Sequence, residues 1–100
     1  MEEERKVIPG YELYSVSNLG HIYNTKSGRR IKTGIRKNGE RVRFYFYGGM
    51  WRSIALLVIT NFVPNPMNYV TFHHKDRNKL NNCASNLEWV SKGAINRMYN

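Results

Sequence analysis

Two adjacent histidines, His73 and His74, close an apolar segment that contains Tyr69, Val70 and Phe72. A loop dense in asparagine follows, with Asn78, Asn81 and Asn82, and then the run Ser85-Asn86-Leu87-Glu88-Trp89-Val90 and, further on, Asn96. Neutral imidazole serves near pH 7 both as a metal ligand and as a general base. Asparagine carbonyls can hold a ring in one orientation or complete a metal's shell. Successive side chains on a strand point to opposite faces, so the two histidines cannot do the same job if pairing runs through both. One is suited to hold a metal, the other to take a proton.

The elements that must position these groups follow from the pattern around them. A strand ending at His73 or His74 is expected, then an irregular loop over residues 75–85, in which Asn78, Asn81 and Asn82 supply hydrogen bonds. A second strand is expected over Leu87 to Val90, with Trp89 in the core, and a helix from about Lys92 with Ser91 as its N-cap. Upstream, Ser53 is a candidate cap for an apolar helix over Ala55 to Phe62, which Val63-Pro64-Asn65-Pro66 stops, because proline removes a donor and constrains its predecessor. That helix is too short to span a bilayer and is expected to be buried between two modules. The Pro-bearing joint divides the chain into residues 1–66 and 67–100.

In the first module, Tyr14-Ser15-Val16 and His21-Ile22-Tyr23 flank the turn-forming Ser17-Asn18-Leu19-Gly20 and read as a β-hairpin. A second hairpin is expected from Ile31–Arg36 and Arg41–Tyr47 through Lys37-Asn38-Gly39-Glu40, since Asn-Gly is a strong hairpin signal. Val42, Phe44 and Phe46 would share one face and Arg43, Tyr45 and Tyr47 the other. The fold class is therefore α+β, with a hairpin-rich N-terminal module ahead of a strand, loop, strand and helix.

With 100 residues the chain has room for only a small core. Its apolar fraction of 41% with seven Tyr, four Phe and two Trp is that of a folded protein. Sixteen Lys and Arg against seven Asp and Glu give a formal net charge of +9, and three of the acids sit together in Glu2-Glu3-Glu4. Eight bases, Lys26, Arg29, Arg30, Lys32, Arg36, Lys37, Arg41 and Arg43, precede Tyr45 with one acid, Glu40, among them. Such a hairpin suits a phosphate backbone, where each neutralised phosphate releases counterions. No amphipathic basic helix suggests a membrane partner. The lone Cys83 excludes an intrachain disulfide and a cysteine-based zinc site, and fits a reducing cytoplasm. The acidic start does not read as a secretion signal.

The run His73-His74-Lys75-Asp76-Arg77-Asn78-Lys79-Leu80-Asn81-Asn82 with Asn86-Leu87-Glu88-Trp89-Val90 resembles the HNH nucleases of the phage and homing-endonuclease type, whose site is a ββα-metal motif. The stretch Ile8-Pro9-Gly10-Tyr11-Glu12-Leu13-Tyr14-Ser15-Val16-Ser17-Asn18-Leu19-Gly20 resembles the NUMOD4 module that often precedes such a domain. The resemblance implies a DNA endonuclease working in the cytoplasm of a bacterial host, as a monomer or homodimer and nicking by default. It implies that His74 is the general base, that Asn86 orients it by a hydrogen bond, and that His73 and Asn96 hold one divalent metal ion. Mg²⁺ is the expected ion, with Mn²⁺ or Ni²⁺ accepted beside an imidazole and an amide. Lys75, Arg77 and Arg97 join the hairpin bases as phosphate contacts.

Two departures stand against the family pattern. Its Gly after Asp76 is Arg77 here, and its common spacing from Asn86 lands on Ile95, one residue before Asn96. A shift of one residue turns a helical side chain by about 100°, so either the start of the helix absorbs it or the ligand is lost. The alternative is an inactive HNH-derived module that binds DNA or a host or phage protein. A third reading is an RNA-binding sheet that stacks bases on Tyr45 and Tyr47.

Overall fold

The structure is a computed structural model that describes residues 2–32, 34–35, 42–46 and 50–99, with side chains at 2–32 and 53–97. Four antiparallel strands, β1 (Arg5–Ile8), β2 (Tyr11–Ser17), β3 (Ile22–Asn24) and β4 (Arg30–Ile31), form a first sheet in sequence order. Three more, β5 (Gly34–Ile35), β6 (Val42–Phe46) and β7 (Met50–Ser53), form a second. Helix α1 (Ile54–Phe62) follows, and then the pair β8 (Thr71–His74) and β9 (Leu87–Val90), with a 3-10 turn (Ala84–Asn86) between them and helix α2 (Lys92–Tyr99) after them. The α+β class and the strand, loop, strand, helix order are those the sequence implies.

Helix α1 is the hub. Its side chains Ile54, Ala55, Leu57, Val58 and Ile59 are buried and meet Ile8, Val16 and Ile22 of the first sheet and Leu87 of β9 in one cluster. Burial of an aliphatic side chain of this size stabilises by about 1.5–3 kcal/mol, so this cluster holds both halves of the chain on a common core. The capping is as expected: Ser53 Oγ accepts from Leu56 N at 3.3 Å. The helix ends with Val63 N donating to Ile59 O, and Pro64 cannot extend it. Among the described residues no helix is long and apolar enough to cross a membrane.

Three elements differ from expectation. The single strand expected over Ile31–Arg36 is divided: Ile31 pairs with Ile22 at the edge of the first sheet, and Gly34 pairs with Arg43 in the second. The buried Ile22 recruits the nearest aliphatic neighbour, and the chain must then change sheets. β1 lies in the stretch read only as a charged start; its Lys6 reaches Asn61 O at 2.7 Å and lies over the Phe62 ring, so the amine shields the end of α1. β7 forms over residues for which the sequence predicted no element, with Tyr45 opposite Trp51. The Asn-Gly turn, with Arg36, Lys37 and Arg41, lies outside the described residues, and so do the side chains of Arg43 and Tyr45.

Candidate nuclease site

In the β8–β9 pair, Thr71 lies opposite Val90, Phe72 opposite Trp89, His73 opposite Glu88 and His74 opposite Leu87. Opposed residues share a face and neighbours alternate. His74 and Phe72 therefore face the core side, where Leu87 is buried and the Trp89 indole donates to Val63 O at 3.1 Å. His73 and Glu88 share the other face. The opposite facing expected of adjacent histidines is thus built into the strand.

His74 Nε2 lies 2.7 Å from Asn82 Oδ1. An amide oxygen only accepts, so in the neutral ring Nε2 carries the hydrogen and Nδ1 the lone pair. Asn82 is buried and backed by the N-terminal half: a Cβ on Gly20 would stand 3.1 Å from both the Cβ and the carbonyl oxygen of Asn82. Gly20 also has φ +86°, where side chains are disfavoured. The same turn accepts two bonds from the loop, Ala84 N to Asn18 O at 2.7 Å and Cys83 Sγ to Leu19 O at 3.7 Å.

Asn86 is buried but makes no hydrogen bond to the His74 ring; that ring's partner is Asn82. Its amide instead closes the loop, accepting from Asp76 N and donating to Asp76 Oδ1 and to Asn81 O. Its carbonyl accepts from Lys75 N at 2.7 Å. Asn86 so pins the chain on both sides of the segment that runs from His74 to Asn82, and bears on the ring at one remove. Asp76 also accepts from Asn81 Nδ2 and Asn78 N, and these bonds, Asn81's first, hold its carboxyl below its ordinary value. Asn78 caps Leu80 N. Arg77 takes the turn in the left-handed region, φ +62°, with its N–H on His74 O, so the turn survives the absence of Gly.

On the opposite face His73 Nε2 and Glu88 Oε1 are 2.8 Å apart, and this bond leads the causes that lower the Glu88 carboxyl. Asn96 lies exposed on α2. Ser91 Oγ caps Ala94 N at 3.1 Å and the helix starts at once, which leaves Ile95 half-buried and Asn96 the next residue round. Among the described residues no three His, Cys, Asp or Glu cluster as a ready cation site. The bases spread differently. Arg30 and Lys32, with Gly20, His21, Ile22 and Ile31, line a concavity of about 380 Å³ that adjoins the Asn82 contact. Lys26 lines a separate one beside Gly10 to Tyr14 and Thr25, while Arg29, Lys75, Arg77 and Arg97 are exposed. The sequence did not single out Gly20 and Glu88, and it gave Asn82 only a general part in loop hydrogen bonding; the roles of Asn82, Gly20 and Glu88 depend on partners 8, 62 and 15 positions away.

Comparison with known proteins finds similar sequences and a similar fold. Residues 3–48 match the NUMOD4 motif. The chain is 39% identical over 92 residues to the DNA endonuclease I-HmuI of Bacillus phage SP01, which covers 89% of this chain and 53% of that protein. It is 34% identical over 94 residues to the H-N-H endonuclease F-TflII of Escherichia phage T5, covering 90% and 49%. A solved structure described as DNA binding and cleavage by the HNH homing endonuclease I-HmuI superposes with a TM-score of 0.74 at 38% identity, over 95% of this chain and 57% of that one. The chain thus spans about half the length of these relatives. By sequence and by fold, it is similar to HNH endonucleases of the phage and homing type, and it carries a NUMOD4 motif over residues 3–48.

Proposed function

We propose that the chain is a metal-dependent DNA endonuclease that cuts one strand per encounter. The observation that carries this reading is the bond from His74 Nε2 to Asn82 Oδ1, which fixes the ring and leaves Nδ1 basic. In the reaction, Nδ1 takes a proton from a water whose oxygen attacks phosphorus and displaces the 3′ oxygen. Asn86, Asp76 and Asn81 keep the loop, and with it the ring, from reorganising as the proton moves.

The donor set on the other face fits a divalent cation, since an imidazole nitrogen lies beside a carboxylate oxygen. His73, with Asn96, would hold it, and Mg²⁺, Mn²⁺ and Ni²⁺ all accept such donors. When bound it supplies charge neutralisation for the phosphorane-like transition state and the leaving oxygen. Arg30 and Lys32 in the concavity next to Gly20, with Lys75, Arg77 and Arg97, would contact phosphates, so binding should weaken steeply with salt. Residues 1–66 and 67–100 act as a DNA-gripping module and a cutting module on one core.

The test is nicking of supercoiled plasmid at low salt with Mg²⁺, Mn²⁺, Ni²⁺ or EDTA. Metal-dependent open circles from the parent, absent for His74→Ala and slowed about 10–100-fold for Asn82→Ala, are the expected result. A parent that retards DNA in a gel but never nicks it with any metal would overturn the enzyme. The exposed Asn96, one residue beyond the half-buried Ile95, favours that second reading, a binding module for DNA or for a host or phage protein.

A further inference from the structure

We infer that Glu88 is itself a ligand of the divalent cation, sharing it with His73; this rests on the reading of His73 as a metal-holding residue. The two side chains are direct cross-strand partners on one face, and their donor atoms are 2.8 Å apart. Two ligands at adjacent corners of an octahedral shell with bonds near 2.1 Å stand about 3 Å apart. The pair therefore already has the edge length of such a shell, and a cation takes the place of the proton that now lies between nitrogen and oxygen. A carboxylate also brings the hard, charged oxygen that Mg²⁺ and Mn²⁺ favour and that an imidazole and an amide lack.

The other imidazole–carboxylate pair among the described residues is the control. Glu3 meets His21 at 2.9 Å, but the Tyr23 hydroxyl contacts both Glu3 oxygens at 2.8 Å and Arg5 stands within 4.0 Å. That carboxylate is occupied by protein donors. Glu88, among the described residues, takes a hydrogen bond from His73 alone, and its side chain is 51% exposed against 12% for His73. Its oxygens face solvent, where the ion's remaining positions are open to water and to a phosphate. An exposed pair of this kind adds little to stability, so the carboxylate can be changed without unfolding the chain.

The experiment is titration of the full chain with Mn²⁺, without DNA, followed by the electron paramagnetic resonance of free Mn²⁺, for the parent, Glu88→Gln, Glu3→Gln and His73→Ala. Gln keeps an oxygen that accepts from His73 but loses the charge. Glu88→Gln should weaken binding by roughly tenfold or more with an unchanged melting temperature, and Glu3→Gln should leave it alone. Binding by Glu88→Gln equal to the parent, with His73→Ala weakened, overturns the role of Glu88 and spares that of His73. Equal binding by His73→Ala as well, or no binding by the parent, overturns both.

Discussion

The two halves of the chain reach rigidity by different physics. In the first sheet it comes from ladder pairing over buried aliphatics: Val16 and Ile22 are fully buried and directly opposed. In the segment from His74 to Asn86 the residues from Lys75 to Leu80 are all exposed, and order comes from asparagine and aspartate side chains bonded to the local backbone. An aliphatic contact tolerates small displacements, whereas a hydrogen bond weakens steeply with angle. The loop that orients the His74 ring is thus built from the directional interaction, and the half that supports it from the non-directional one. They meet where Gly20 lies against Asn82.

The sharpest way to break this arrangement is Gly20→Val. The added carbons meet Asn82 at its Cβ and carbonyl, and a β-branched residue at φ +86° is strained as well. A loss of about 2–4 kcal/mol is expected from the two effects together. Nicking should fall further than the folded fraction does, measured at a temperature where the variant is still folded. An activity that simply tracks the folded fraction would show that the two halves are not coupled through Asn82.

A smaller effect separates the two kinds of order by pH. Asp76 has its carboxyl lowered in the folded chain, so the unfolded chain binds that proton first. Its contribution is complete above the ordinary carboxylate value and is lost as pH falls through the lowered one. Protection of the Asn78 amide, which donates to Asp76 Oδ1 at 2.8 Å, should fall in that acid range. The Ser17 amide, fully buried and donating to His21 O at 2.8 Å, should keep its protection, and equal loss at both would contradict the contrast.

The smallest effect is a gain. Arg77 occupies a left-handed turn position that costs an ordinary residue about 1–2 kcal/mol and suits glycine. Arg77→Gly should raise stability by up to about 1 kcal/mol after the added chain entropy of glycine, read from thermal unfolding. If Arg77 also contacts phosphate, the same variant binds DNA more weakly with a shallower salt dependence.

What the sequence by itself determined is the local grammar. Ser53 and Ser91 cap helices, Pro64 ends one, and residues 71–74 and 87–90 are strands, because these signals act within a few residues of themselves. The opposite facing of His73 and His74 is equally local, since it follows from the two-residue period of a strand. Only the tertiary structure decided which groups these residues meet. The division of Ile31–Arg36 between two sheets depends on the buried Ile22, and β1 takes its place through pairing with β2. Asn82, not Asn86, holds the His74 ring, Gly20 backs Asn82 from across the core, and Glu88 stands beside His73. Each of these is a pairing between positions that no local period relates. Their spacing in the chain carries no trace of it, because the packing around α1 and the register of the strands set the distances.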